Sequence, residues 1–236
     1  MKLRFTLVAA VCSLCLLAAN SSRAVTLASL ASNPSNSLVS GPLTFDNFVV
    51  FASGIGTFDP ANVIINPFSI GTQYGLTIGS SFQTIRSGPY NQPPRILNFS
   101  YDVTAANGVY VNHAYMSAVA TGALFGNISP GDIASSNVTK NITPAGVTLS
   151  VFGDSSGGPV QSHDAAPIVP NLSSFNVNEV ISEFVFLSNT GESSNAHISG
   201  LTNTYDVPEP GNLAMLFGLG VSGTLFGLKL RRRSLV

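Results

Sequence analysis

Two carboxylates four residues apart, Glu179 and Glu183, are the first place in this sequence to look for chemistry. A carboxyl pair cleaves a glycosidic bond when its members stand about 5 Å apart, or about 6.5–9.5 Å apart with a water between them. Four positions along a strand do not set that separation, so both are expected to be solvated side chains. His113, His163 and His197 each stand alone, without the two-histidine spacing that a zinc site uses. Asp154 and Asp164 could join backbone carbonyls around a calcium ion, but no Asp-x-Asp-x-Asp loop surrounds them. The expectation is no metal and no cofactor.

The string Gly153-Asp154-Ser155-Ser156-Gly157-Gly158-Pro159 resembles the Gly-Asp-Ser-Gly-Gly-Pro nucleophile loop of chymotrypsin-like serine proteases, with one serine too many. That loop works because its backbone amides sit about 3 Å from a developing oxyanion, and an inserted residue displaces them. The base it would need, His113, falls inside a predicted strand. A glycine-rich turn accounts for the string, and no catalytic residue is assigned. Aromatic rings could stack on sugars, yet there is no Trp and only six Tyr. Tyr74, Tyr90 and Tyr101 are the candidates. A carbohydrate-binding module, and behind it a secreted hydrolase, are the alternatives to a non-enzymatic surface protein. Most of the Phe alternate with polar residues and belong to the core.

These residues must be held by strands. Runs of β-favouring residues alternate with Gly, Pro, Asn and Ser clusters, and no stretch between the ends keeps a 3.6-residue period. Strands are predicted at 43–51, 75–78, 95–103, 109–119, 147–152, 174–180, 183–187 and 197–205. In 96–103 the residues Leu97, Phe99, Tyr101 and Val103 share one face, and Asn98, Ser100 and Asp102 the other. Ala106-Asn107-Gly108 reads as a tight turn joining 95–103 to 109–119 in a hairpin. The fold class is all-β, an antiparallel β-sandwich spanning 25–206, with a jelly roll one form it could take.

Between 25 and 206 only Arg86, Arg95 and Lys140 are cationic, against ten carboxylates. Phosphate backbones need clustered Lys and Arg, so nucleic acid is excluded as a partner. Both cysteines, Cys12 and Cys15, lie in the N-terminal apolar run, so no disulfide can brace the domain.

The two ends carry instructions of a different kind. Lys2 and Arg4 precede an uncharged run from Phe5 to Ala19, and Ser22-Arg23-Ala24 offers small residues for cleavage after Ala24. Residues 1–24 read as a signal peptide for signal peptidase. At the C-terminus Val207-Pro208-Glu209-Pro210 precedes an apolar segment, about 212–230, and a basic cluster of Lys229, Arg231, Arg232 and Arg233. The prolines keep the motif extended. The apolar run is just long enough to span the inner membrane as a helix, and the cations hold its end in the cytoplasm.

This ordered set over 207–233 resembles the PEP-CTERM sorting signal. The resemblance implies a Gram-negative bacterium and processing near Pro-Glu-Pro by an exosortase. It also implies display at the cell surface, or release into an extracellular matrix or biofilm where exopolysaccharide is a candidate ligand.

Overall fold

The computed structural model describes residues 24–51, 58–80, 82–155 and 160–208. The signal segment before Ala24 and the tail from Glu209 onward, including the expected flanking helices, lie outside the described residues. No described helix is long and apolar enough to cross a membrane.

Fourteen described strands form a sandwich of two antiparallel sheets. They are β1 (Val25–Thr26), β2 (Leu38–Ser40), β3 (Leu43–Phe51), β4 (Ile64–Ile70), β5 (Gln73–Gly79), β6 (Phe82–Ser87) and β7 (Tyr90–Asn91). After them come β8 (Arg95–Ala105), β9 (Val111–Phe125), β10 (Ile133–Thr143), β11 (Val147–Asp154), β12 (His163–Leu172), β13 (Ser174–Leu187) and β14 (Ser193–Asp206). One sheet runs β1-β4-β5-β14-β9-β12, with β6 also on β14. The other runs β11-β10-β13-β8-β3-β2, with β7 also on β13. A single-turn helix, α1 (Leu27–Ala31), is capped by the Thr26 hydroxyl and buries Leu27 and Leu30 against the core.

Period-two alternation builds the interior. On β8, Leu97, Phe99, Tyr101 and Val103 are all buried, as their spacing predicts. Phe45 of β3 and Tyr205 of β14 meet across the sandwich with ring centroids 6.1 Å apart. At two points where strands of facing sheets meet, only glycine fits. A Cβ on Gly122 of β9 would collide with the carbonyl oxygen of Ala134 on β10, and one on Gly153 of β11 with that of Ala120.

Two expectations about strands need correction. The turn at Ala106-Asn107-Gly108 exists, with Val109 N donating to Ala106 O at 3.0 Å, but it does not close a hairpin. β8 pairs with β3 and β13, whereas β9 pairs with β14 and β12 in the other sheet. Both edges of each strand are occupied by partners distant in sequence, so the turn is an arch between layers. The predicted runs 174–180 and 183–187 are one continuous strand, β13.

The register also fixes where the chain enters and leaves. Val25 faces Ile65 in an antiparallel pair, so the chain before β1 points toward the Ile70 end of β4. Asp206 faces Gln73 at the start of β5, beside the same turn. Both ends of the described fold therefore open onto one end of the sandwich, and the loops 126–132 and 188–192 lie at the other.

Candidate functional site

At the exit end, β14 stops at Asp206, whose carboxylate accepts from the Tyr115 hydroxyl at 2.6 Å. Val207 is buried, and its N–H donates to Thr72 O at 3.1 Å. Pro208 is exposed. The four-residue motif thus begins at a buried residue, Val207, and is exposed at its second position, Pro208. Glu209, Pro210, Lys229 and Arg231–Arg233 lie outside the described residues. Ala24, the expected signal-peptidase site, is exposed.

Among the described residues, the protease-like string does not bring Ser155 to His113. Ser155 Oγ accepts from Ala134 N at 2.9 Å, and its own N–H donates to Ala134 O, which ties it to β10. Its backbone nitrogen packs against Gly122, nine positions along β9 from His113, or about 30 Å of extended strand. His113 stacks on Tyr115 instead, at 5.3 Å between centroids. Residues 156–159 lie outside the described residues. Asp164 accepts backbone N–H groups from Ser150 at 2.8 Å and Ala165 at 2.9 Å. Among the described residues no group of three His, Cys, Asp or Glu side chains could hold a metal ion.

Burial overturns one of the three tyrosine candidates. Tyr101 is fully buried, with its hydroxyl 3.1 Å from that of Tyr205, so it offers no face to a sugar. Tyr74 is partly buried, with its ring closing over Gly41. Tyr90 keeps partial exposure, with the Arg86 guanidinium 4.7 Å over its ring.

Glu179 and Glu183 are not solvated: they are 0 % and 1 % exposed. They share the inward face of β13 with Phe175, Val177, Ile181, Val185 and Leu187. Four strand positions put their Cα atoms about 13 Å apart, and each carboxylate is engaged by a different partner.

Around Glu179 the structure gathers residues that composition and motif reading pass over. Lys140 of β10 is its cross-strand neighbour and is fully buried. The Lys140 ammonium donates to Tyr115 O at 2.7 Å and lies 4.9 Å from the Tyr205 ring centroid. Asn203 of β14, also fully buried, donates from Nδ2 to Glu179 Oε2 at 2.7 Å. Glu179 Oε1 and Asn203 Oδ1 have no hydrogen-bond partner among the described residues. Burial pushes the lysine pKa down, against the opposing pull of Glu179 and Asp164. It pushes the glutamate pKa up, against Lys140 and the Asn203 amide. Each shift favours the uncharged form, because a charge removed from water costs more than these neighbours restore.

Glu183 sits in a different setting. Its Oε2 accepts from Thr84 Oγ1 at 2.7 Å, and Oε1 has no hydrogen-bond partner among the described residues. Burial raises its pKa to about 7, with Thr84, Arg95 and the Ile198 amide pulling the other way.

The loops at the far end are tied by two more buried carboxylates. Asp132 accepts from Ser129 N at 2.8 Å and from the N–H and hydroxyl of Ser188 at 3.0 and 2.8 Å. Glu192 accepts from the Ser129 hydroxyl at 2.9 Å and Asn189 N at 2.8 Å. Burial works against the Asp132 charge, and the donors from Ser129 and Ser188 overcome it, leaving the pKa lowered.

No family model and no curated protein matches this chain. Among solved structures, it is similar to TmCBM61, determined in complex with β-1,4-galactotriose. The two share 10 % identity over 69 % of this chain and 88 % of that one, at a TM-score of 0.21.

Proposed function

We propose that this chain is an exported, non-enzymatic cell-surface or extracellular-matrix protein whose C-terminal Pro-Glu-Pro segment is the substrate of an exosortase. The observation that carries this reading is the ordered C-terminal set, together with the position of its first residues. Among the described residues, Val207 is buried in the core and Pro208, the next motif residue, is exposed. A processing enzyme at the membrane would meet the motif at an exposed Pro208, one residue beyond a buried Val207.

The measurement is the mass of the mature C-terminus from producing cells, with and without the sorting enzyme. A chain ending near 208–210 only when the enzyme is present is the expected result. A full tail in both strains refutes the reading.

Exopolysaccharide is the ligand this reading assigns. Tyr90, partly exposed and lying on β13 at the end opposite Val207, is the side chain offered to it. Replacing Tyr90 with Ala should weaken binding to the producing cell's own polysaccharide roughly three- to tenfold, the worth of one stacked ring. Undiminished binding would move the contact elsewhere.

A further inference from the structure

Lys140, Glu179 and Asn203 bring a primary amine, a carboxyl and a primary amide together inside the sandwich, each 0 % exposed. The amine and carboxyl are cross-strand neighbours on β10 and β13, and the carboxyl is bonded to the amide on β14 of the facing sheet. The amine also reaches that facing sheet. It donates to Tyr115 O, and Tyr115 is paired with Thr204, the residue after Asn203. Asn203 and Tyr205 stand two apart, both inward, and Nζ lies 4.9 Å from the Tyr205 ring centre. Two such side chains are about 7 Å apart on a strand, so Nζ, held in this structure by Tyr115 O, must leave that carbonyl and swing from beside Tyr205 toward Asn203 to reach its amide.

We propose that Lys140 and Asn203 condense into an intramolecular isopeptide bond, with Glu179 carrying the protons. A proton passes from the ammonium to the carboxylate, which gives the neutral amine and protonated acid that a water-free interior favours. Rotation of the amide exchanges Nδ2 and Oδ1, so that Glu179 donates to Oδ1 and polarises the carbonyl. The Nζ lone pair then attacks Cγ and forms the Nζ–Cγ bond. A proton from Nζ travels through Glu179 to Nδ2, the Cγ–Nδ2 bond breaks, and ammonia leaves with its electron pair. An amine and a primary amide become a secondary amide and ammonia, and Glu179 ends as it began. Nothing is oxidised or reduced, and no co-reactant is needed.

Three other observations fit this chemistry. Burial lowers the Lys140 pKa and raises that of Glu179, the pair of states the attack requires. Among the described residues Glu179 Oε1 and Asn203 Oδ1 have no hydrogen-bond partner, and the product removes a buried charge while giving Glu179 a new N–H. The domain also has no cysteine, so this bond would supply the only covalent brace between the two sheets.

The charge distribution makes the test direct. Past Arg95 the next tryptic site is Lys140, and the one after it is Lys229. The full chain is purified, denatured and digested with trypsin, and the fragments are weighed. The expected wild-type product starts at Ile96, runs uncut through Lys140, and is lighter than its sequence by one ammonia. Glu179→Gln should instead release a fragment ending at Lys140 and another starting at Asn141, both of unmodified mass. Complete cutting at Lys140 in the wild type overturns the bond, and so does an uncut chain of unmodified mass. A crosslink that persists in Glu179→Gln overturns the proton-carrying role. Should that variant fail to fold, the wild-type digest alone decides whether the bond exists.

Discussion

Glu179 and Glu183 occupy the same face of the same strand, are equally hidden from water, and are both driven toward the neutral acid by burial. Their neighbours differ in kind. Glu179 faces an amine and an amide, a nucleophile and an electrophile that can be joined. Glu183 faces the Thr84 hydroxyl, the Ser136 residue paired with it, and the charge of Arg95. A guanidinium stays protonated and does not attack. Burial alone therefore makes a perturbed carboxyl. Chemistry needs the second and third groups, and four residues along β13 separate the two cases.

The largest effect that tests this contrast is on stability. A covalent link between Lys140 and Asn203 closes a loop of about 60 residues and is worth about 4 kcal/mol in chain entropy. Glu179→Gln should lower Tm by roughly 8–16 °C in a domain of this size. Glu183→Gln, the matched control on the same face, should not lower it. Equal losses from both variants in a thermal melt would mean that the two sites are both simple buried acids.

A smaller effect separates alignment from packing. A Cβ on Gly75 would meet the backbone of Asn203, and one on Gly122 would meet the backbone of Ala134 near the other end. Each substitution to Ala overfills a close backbone contact and should cost about 2–3 kcal/mol. Gly75→Ala shifts β14 at the reacting amide, so its tryptic digest should show partial cutting after Lys140. Gly122→Ala should be as unstable and yet fully linked. If both keep the link, alignment of Asn203 is not limiting.

The same strand shows what the sequence could reveal. The alternation of Leu97, Phe99, Tyr101 and Val103 announced β8, because an apolar residue at every second position has one plausible use. The inward face of β13 was equally legible from Phe175 through Leu187, and it places both glutamates inside. Reading that stretch as two strands, 174–180 and 183–187, breaks the register at the point where it would have shown this. Lys140 was harder to find. β10 is built from Ser, Asn and Thr as much as from apolar residues, so it does not stand out as a strand, and the inward parity of Ala134, Val138, Lys140 and Ile142 stays hidden. The pairing of β8 with β3 and β13, and of β10 with β13, could not be read at all. Those contacts are long-range, and the local turn at Asn107-Gly108 pointed to a hairpin between β8 and β9 that the two-layer fold does not use. Asn203 becomes interesting only once β14 is laid across from β13.

The smallest effect concerns Glu183 itself, and its sign follows from the direction of the shift. An unfolded glutamate titrates near 4.3, whereas Glu183 in the fold titrates near 7. Between those values the folded state keeps a proton that the unfolded state has lost, so stability falls as pH rises through this window. Above pH 7 the buried charge carries its full cost, offset only in part by Thr84 and Arg95. Glu183→Gln keeps the shape and an acceptor for the Thr84 hydroxyl and never ionises. It should therefore stabilise the domain by roughly 2 kcal/mol at pH 8, or about 4–8 °C in Tm, with the gain shrinking to nothing below about pH 4.5. Melting curves across that range check it, and a gain that is flat with pH would trace to packing rather than charge. The crosslink should be untouched throughout, because nothing that Glu183 contacts is the amine or the amide.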